Sequence, residues 1–230
     1  MFLSDMPAPL KAFLKAAEQR DSKALLSLFT KDAVLTDEGR DHSGDDLRQW
    51  NDKVFIGANV VVQPIHIEDR DGLTVLAVSV KGDYASFGIT EPLQFNWHFK
   101  LAGDRIKSIR IVKVKLDLPA PIVAFIMAMN TFNSAAMFAT FADDAMVNDA
   151  QREHPGKEAI RRWFDKELIG DRVTMYVSDI KAHQGGYAVT AKVTGNYDKT
   201  GLPDPLELRF YFTLGANVIT QLIIIPVKRI

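Results

Sequence analysis

Two short segments with the same pattern place carboxylates where they can accept a proton. FADDAMVND runs from Phe141 to Asp149, and FTKDAVLTD runs from Phe29 to Asp37. In both segments the last aspartate ends a short apolar alternation, which is typical of a β-strand that enters a hydrophobic interior. A carboxylate at the mouth of an apolar pocket has its charged form disfavoured by desolvation, and this makes it a stronger base. The pattern raises the question of whether Asp149 and Asp37 act as general bases.

A structural role is the alternative for both aspartates, because Asp in turns commonly accepts hydrogen bonds from nearby backbone N–H groups. The histidines that follow them, His42 and His154, lie two residues before a glycine in RDHSG and REHPG. Each imidazole is either a second acid-base group that faces a pocket or an ordinary residue of an entrance loop. The remaining histidines have no metal-ligand spacing, so no metal site is predicted. They are His66, His98 and His183.

The chain contains the same long pattern twice. MPAPLKAF, which begins at Met6, matches LPAPIVAF, which begins at Leu118, and the offset of 112 residues holds without a gap through Gly44 and Gly156. After one inserted residue the offset is 113, and it aligns Trp50 with Trp163. This period is far longer than that of a solenoid repeat, which is about 20 to 50 residues. We therefore predict two homologous domains, residues 1–117 and 118–230.

Both copies predict helices first and strands afterwards. The prolines of Pro-Ala-Pro suit a first helical turn, Asp21 and Asn133 suit the cap of a second helix, and Gly44 and Gly156 begin a third helix. Alternating β-rich runs follow, which predicts an α+β domain with helices on one face of a mainly antiparallel sheet. A short strand precedes the third helix at 33–36 and 145–148, and the later strands are predicted at 59–68, 73–81, 92–101 and 105–115, then at 172–181, 186–194, 205–214 and 217–227.

The composition is that of a soluble globular protein. Of the 230 residues, 47% are hydrophobic and 25% are charged, and the formal net charge is -1. A nearly neutral chain lacks the basic surface of a protein that binds nucleic acid or an anionic membrane. The absence of cysteine excludes disulfides and thiol chemistry, and no apolar run reaches the roughly 18 residues of a membrane helix. We therefore expect a cytoplasmic protein that binds neither nucleic acid nor membrane.

The order of these features resembles a known superfamily. In the second copy an Asp-Asp-Ala-x-Val-x-Asp segment ends at Asp149 and leads to a Gly-x-Glu-x-Ile helix start at Gly156, Glu158 and Ile160. This arrangement resembles the nuclear transport factor 2-like superfamily, and in particular its SnoaL-like members, which include polyketide cyclases and ketosteroid isomerases. The resemblance implies two tandem cone-shaped domains, each with about three N-terminal helices packed on a curved, mainly antiparallel sheet around one pocket. Because convex sheet faces often pair in this superfamily, the resemblance also implies an intramolecular pseudo-dimer.

The resemblance gives the last aspartate of the acidic segment the role of the base in ketosteroid isomerases. Asp149 and Asp37 hold that position, but those isomerases also use a tyrosine from the first helix, and Phe125 and Phe13 stand there in this chain. The loss of one such donor typically costs about a hundredfold to a thousandfold in rate. The known catalytic set is therefore incomplete, and only a looser acid-base reaction with a nearby histidine stays open.

Alternating aromatic residues predict apolar interiors in both copies. LQFNWHFKL places its rings on one strand face, as LELRFYFTL does, and this suits either core packing or the lining of a pocket. Five of the seven methionines lie in the second copy, where they suit an adaptable apolar site. The predicted ligand-binding residues are Phe125, Met129, Trp163, Phe210 and Phe212 in the second copy and Phe13, Trp50, Trp97 and Phe99 in the first.

Three functions are consistent with these patterns. The first is the binding of a small hydrophobic molecule in a cone pocket, without a cofactor and without a complete known catalytic set. The second is a cofactor-free isomerase, cyclase or dehydratase that uses Asp149 or Asp37 as its general base. The third is a protein-interaction module whose pockets are filled by side chains. The sequence leaves open the choice among them, and it also leaves open whether the domain pair forms a homo-oligomer.

Overall fold

The computed structural model describes residues 3–84, 93–203 and 206–227, and the chain forms two compact units. The first unit ends at Lys115 and the second begins at Leu116. This division lies two residues before the predicted boundary at 117/118, since Leu116 and Leu118 both pack against the hydrophobic core of the second unit. In the described part of the chain, no helix is long and apolar enough to cross a membrane.

Each domain begins with short helices whose starts are set by local side chains. Asp21 Oδ1 accepts a hydrogen bond from Ala24 N at 2.8 Å, and Asn133 Oδ1 accepts one from Ala136 N at 3.0 Å, so both predicted caps are confirmed. The helices are α1 (Ala8–Glu18), α2 (Ser22–Ser27) and α3 (Gly44–Trp50) in the first domain, and α4 (Ala120–Asn130), α5 (Ser134–Ala139) and α6 (Gly156–Trp163) in the second. A 3-10 turn (Leu3–Asp5) precedes α1, and π-helical turns (Asn51–Phe55 and Phe164–Ile169) follow α3 and α6.

Each domain has one six-stranded mixed sheet. The strands are β1 (Phe29–Asp37), β2 (Arg40–His42), β3 (Val61–Arg70), β4 (Leu73–Lys81), β5 (Leu93–Ala102) and β6 (Arg105–Lys113), then β7 (Phe141–Asp149), β8 (Arg152–Pro155), β9 (Thr174–His183), β10 (Gly186–Thr194), β11 (Leu206–Gly215) and β12 (Val218–Pro226). Their spatial orders are β2-β1-β6-β5-β4-β3 and β8-β7-β12-β11-β10-β9, with β1 parallel to β6 and β7 parallel to β12. The predicted strand starts at 92 and 205 lie outside the described residues. The α+β class and the duplication are confirmed.

The sequence patterns missed one part of each sheet. The first strand of each sheet has nine residues and is longer than predicted, and a short antiparallel partner follows it. His42 and His154, which were placed in loops by the sequence, therefore lie on β2 and β8. Each hairpin closes through two residues with positive φ, Glu38 and Gly39 in the first domain and Ala150 and Gln151 in the second. Left-handed backbone at non-glycine residues has only a weak sequence signature, so the turn at Ala150 and Gln151 is not apparent from the sequence.

The core of each domain lies where the first helix covers the sheet. Phe13 on α1 and Phe125 on α4 are buried, and each makes an edge-to-face contact with an aromatic strand residue. The ring centroids are 5.8 Å apart for Phe13 and Phe99, and 5.6 Å apart for Phe125 and Phe212. The pairing of the two domains through their sheets stays a prediction.

Candidate ligand site

An apolar cavity of about 280 Å³ lies in the second domain. Helix α4, the turn after α6 and strands β10, β11 and β12 contribute its walls. The apolar lining includes Met129, Trp163, Leu168, Val193, Leu208 and Phe210. Its charged lining residues are Asp149, Arg152, Glu167 and Asp171. The site therefore combines an apolar body with a small polar region, which is the usual composition of a small-molecule site.

Three substitutions between the copies distinguish the second domain at this place. At the offset of 113 residues, the lining residues Leu168, Leu208 and Phe210 correspond to Phe55, Phe95 and Trp97 of the first domain. Each change replaces a larger ring with a smaller group. Protein interiors are close-packed, so the loss of three rings or ring parts leaves space unless another side chain fills it. The cavity of the second domain occupies this region.

The first domain has a packed aromatic cluster instead. The ring of Phe13 lies 5.8 Å from Phe55, 5.9 Å from Trp97 and 5.8 Å from Phe99, centroid to centroid. Trp50 stacks on Phe55 at 5.6 Å with an interplanar angle of 18°. The four residues of the first copy that the sequence assigned to a ligand, Phe13, Trp50, Trp97 and Phe99, are thus in contact with one another or with Phe55. Such edge-to-face and offset contacts are typical of a filled core.

The five predicted ligand residues of the second copy divide into two layers. Met129, Trp163 and Phe210 line the cavity. Phe125 and Phe212 are fully buried and are not among its lining residues; they pack on each other edge-to-face at 5.6 Å.

Asp149 reaches the charged end of the cavity from the last position of β7. Its Oδ2 accepts a hydrogen bond from Trp163 Nε1 at 3.2 Å and one from the Arg152 guanidinium at 2.5 Å. Its Oδ1 accepts none from the residues that the structure describes. The side chain is 20% exposed, so it is neither a fully desolvated base nor a freely solvated surface group. One carboxylate oxygen is fixed by the protein, and the other is available to a ligand.

Arg152 and Glu167 are functional candidates that the sequence patterns did not identify. The guanidinium of Arg152 binds both oxygens of Glu167, at 3.0 and 2.8 Å, and also Asp149. The hydrogen bond to Glu167 raises the pKa of Arg152 further above its ordinary value, so this cation keeps its charge. Because the Arg152 side chain is 53% exposed, its ion pair with Asp149 contributes only about 0 to 1 kcal/mol. A ligand cation can therefore compete with Arg152 for Asp149.

The same positions in the first domain form a different arrangement. Asp37 Oδ2 accepts a hydrogen bond from Trp50 Nε1 at 3.0 Å, as in the second domain. Arg40, the counterpart of Arg152, pairs with Asp46 at 3.1 Å instead, and the counterpart of Glu167 is the exposed residue Val54. Burial and the charge of Asp37 raise the pKa of Tyr84 to about 12, so this phenol stays protonated. The aspartate–tryptophan pair is common to both copies, whereas the bridging arginine belongs to the second.

The two candidate histidines contact tryptophan rings and do not line the cavity. His42 Nδ1 lies 2.8 Å from Asp46 Oδ2, and its ring is 6.2 Å from that of Trp50. His154 stacks on Trp163 at 5.4 Å with an interplanar angle of 28°, and its Nε2 is buried without a hydrogen-bond partner in the described part of the chain. Burial, and next the charge of Arg152, lower the pKa of His154. Its neutral ring supports Trp163 and, through it, Asp149.

The free energy of unfolding of the second domain should therefore fall as the pH is lowered and His154 becomes protonated. The pKa of His154 is lower in the folded state than in the unfolded state. The contribution of the neutral His154 ring to the free energy of unfolding is therefore complete above the unfolded-state pKa of about 6.5, and it is lost as the pH falls below that value. We expect His154→Gln to flatten the pH dependence of the free energy of unfolding between about pH 7.5 and 5.5. Urea unfolding followed at both pH values measures this, with His183→Gln on β9 as the control. Equal slopes in His154→Gln and the parent protein would contradict the prediction.

Comparison with solved structures finds partial matches, each covering about half of this chain. A protein provisionally named a polyketide cyclase, from Sinorhizobium meliloti, is 28% identical and covers 47% of this chain and 96% of its own, with a TM-score of 0.43. A nuclear transport factor 2-like protein of unknown function from Cytophaga hutchinsonii is 16% identical and covers 50% of this chain and 95% of its own, with a TM-score of 0.40. A protein with a ketosteroid isomerase-like fold from Catenulispora acidiphila, solved with trimethylamine, is 18% identical. It covers 47% of this chain and 85% of its own, with a TM-score of 0.40.

Over about half of its length in each match, the chain is similar to proteins described as nuclear transport factor 2-like and ketosteroid isomerase-like. Neither a protein-family model nor a curated protein sequence matches the chain. The structural likenesses concern the fold of one half at a time, and they carry no information about a ligand or a reaction. In the described ranges, no group of three or more His, Cys, Asp or Glu side chains is placed to hold a metal ion.

Proposed function

We propose that the second domain binds a small apolar molecule that carries a positively charged group at one end. The observation that supports this most directly is the cavity, whose apolar wall ends at an aspartate with one unused oxygen. At about 280 Å³, the space is just below the usual range of ligand sites, which is about 300 to 1,000 Å³. A compact ring system fits this volume better than an extended chain.

The charges around the cavity favour a cationic group. Asp149, Glu167 and Asp171 line it together with one cation, Arg152, so the formal charge of the lining is negative. An amine or other cation gains a charge-assisted hydrogen bond to Asp149, whereas a carboxylate meets three like charges. The rings of Trp163 and Phe210 add faces that attract a cation further.

Proton transfer by Asp149 receives less support than binding. The oxygen Oδ2 is engaged by Trp163 and Arg152, and the position of the first-helix tyrosine is held by Phe125, which offers no donor. Tyr197 lines the cavity, but its hydroxyl donates to Val193 O at 3.1 Å. No described hydroxyl is therefore placed, as an oxyanion donor would be, beside both Asp149 and a bound carbonyl. The aspartate is better suited to orient a ligand.

A matched set of naphthalene derivatives tests the proposal. Naphthylmethylamine, naphthylmethanol and naphthoate share a ring system and differ in the charge of one group. We expect the amine to bind about tenfold or more tightly than the alcohol, and the alcohol more tightly than the acid, because hydrogen bonds to charged groups contribute about 1.5 to 3 kcal/mol. Titration calorimetry on the full chain gives the affinities, and the matched variants Asp149→Asn and Asp37→Asn report which domain holds the site.

The outcomes separate the parts of this proposal. Saturable binding of none of the three compounds would refute a ligand site of this size in the second domain. Equal binding of amine, alcohol and acid would keep an apolar site and refute the role of the carboxylates.

A further inference from the structure

A second, larger groove lies in the first domain, away from its aromatic cluster. Its volume is about 610 Å³, and it runs between helix α1 and the beginning of β3, with Leu3 and Met6 among its lining residues. The apolar part of its lining includes Leu14, Ala17 and Val60–Val62. Since β3 is the last strand of its sheet, it forms one side of this groove.

In the second domain, a buried asparagine on the first helix binds the corresponding edge strand. Asn130 at the end of α4 is fully buried, its Nδ2 donates to Met175 O at 3.0 Å, and its Oδ1 accepts from Met175 N at 2.8 Å. These two bonds fasten the helix to the edge strand β9. The counterparts in the first domain are Glu18 and Val62. A carboxylate cannot donate to a backbone carbonyl, so Glu18 cannot make this pair of bonds, and it is exposed.

The edge backbone of the first domain is therefore presented to the groove. Val62 pairs with Val80 in the same register in which Met175 pairs with Val193. Along an edge strand, alternate residues turn their N–H and C=O away from the neighbouring strand. The N–H of Val62 consequently faces the side on which Asn130 binds in the other copy.

The rim of the groove is basic where the second domain is apolar. Lys11, Lys15 and Arg20 line the groove together with a single carboxylate, Glu18. Neither Lys15 nor Arg20 forms an ion pair within the described ranges. At the offset of 112 residues the three cations correspond to Val123, Met127 and Phe132. The residues at these three positions are thus positively charged in the first domain and apolar in the second.

We propose that this groove binds a single-chain amphipathic anion, a fatty acid. The hydrocarbon chain would lie on Met6, Leu14 and Val60, and the carboxylate would meet Lys15 and Arg20, with the Val62 N–H as a further donor. The apolar floor of the groove complements the hydrocarbon chain of a fatty acid, and the positive rim complements its carboxylate. The site is separate from the cavity of the second domain, whose charged lining is acidic.

Laurate is the probe for this site, with dodecanol as its uncharged analogue. Val61→Glu adds a negative charge at a groove position that is 48% exposed, where a charged side chain can reach solvent. We expect this variant, measured by titration calorimetry on the full chain, to weaken laurate binding about tenfold. Lys15→Met combined with Arg20→Gln should weaken it about three- to tenfold, since exposed ion pairs are individually weak. The exposed residue Lys23 on α2 is outside the groove, and Lys23→Met is the matched control.

Three results would overturn the proposal. They are the absence of laurate binding, laurate binding that both groove variants leave unchanged, and dodecanol binding as tight as that of laurate. Weaker laurate binding in added salt would agree with it, because the rim charges are exposed. Since Val61, Lys15 and Arg20 are not lining residues of the second-domain cavity, any laurate held there would persist in all variants.

Discussion

Replacing Asp149 with asparagine should weaken binding of the naphthylmethylamine probe by about 10- to 150-fold, because it removes a charge-assisted hydrogen bond of about 1.5 to 3 kcal/mol. Asparagine keeps the shape of the side chain, and its amide oxygen can still accept from Trp163 Nε1. Arg152 stays bound to both oxygens of Glu167, so the neighbouring cation keeps a partner. Binding of the uncharged alcohol should change less than about threefold. Calorimetric titration of both probes against both proteins measures the difference.

The duplication supplies a matched control for this substitution. Asp37 has the same position in the first domain and accepts the same hydrogen bond from a tryptophan, Trp50, but it stands beside the filled aromatic cluster. Asp37→Asn should therefore leave the affinity for the amine unchanged. A fall of equal size for amine and alcohol in Asp149→Asn would show a disturbed cavity instead of a lost charge. An unchanged amine affinity would remove Asp149 from ligand recognition.

Truncation of Phe13 should lower the free energy of unfolding of the first domain by about 3 to 5 kcal/mol, the usual cost of Phe→Ala in a core. Phe13 is 2% exposed, and its ring contacts four others, those of Phe29, Phe55, Trp97 and Phe99. Its removal takes away transfer energy and leaves a cavity that the rigid neighbouring rings cannot close. Denaturant unfolding followed by tryptophan fluorescence measures the change.

The control for this prediction is Val54→Ala, at a position that is 42% exposed, where we expect a change within about 0.5 kcal/mol. The three tryptophans are divided between the domains, with Trp50 and Trp97 in the first and Trp163 in the second. A cost below about 1 kcal/mol for Phe13→Ala would mean that the cluster is loosely packed. The first domain would then have to be reconsidered as a ligand site.

Local sequence signals were sufficient for most of the fold. The caps at Asp21 and Asn133, the period-two strands and the repeat depend on residues close in sequence or on a direct match between the halves. The hairpin partners that carry His42 and His154 were missed because three or four residues give too short a pattern. Strand order, and with it the parallel pairing of β1 with β6, has no local signature at all.

The residues of the candidate site could likewise be predicted only in part from local sequence signals. Asp149, Met129, Trp163 and Phe210 were identified from motif position and alternation, and they meet at one cavity. Arg152 and Glu167 lie 15 positions apart, and nothing in their spacing indicates that they bind each other. The comparison of the two halves does show that Glu167 stands where the first copy has a valine. This difference can be interpreted only when Arg152 is known to lie beside Glu167.

The sequence by itself determined a tandem pair of α+β domains, the position of one acidic residue at the end of a strand in each, and a more methionine-rich second copy. Only the tertiary structure decided which interior is open. Phe55 and Leu168, or Trp97 and Phe210, are equally good core residues by type, and hydrophobic pattern does not distinguish them. Whether space remains depends on the summed volume of side chains from different elements that converge on one point, and that sum is fixed only when the chain is folded.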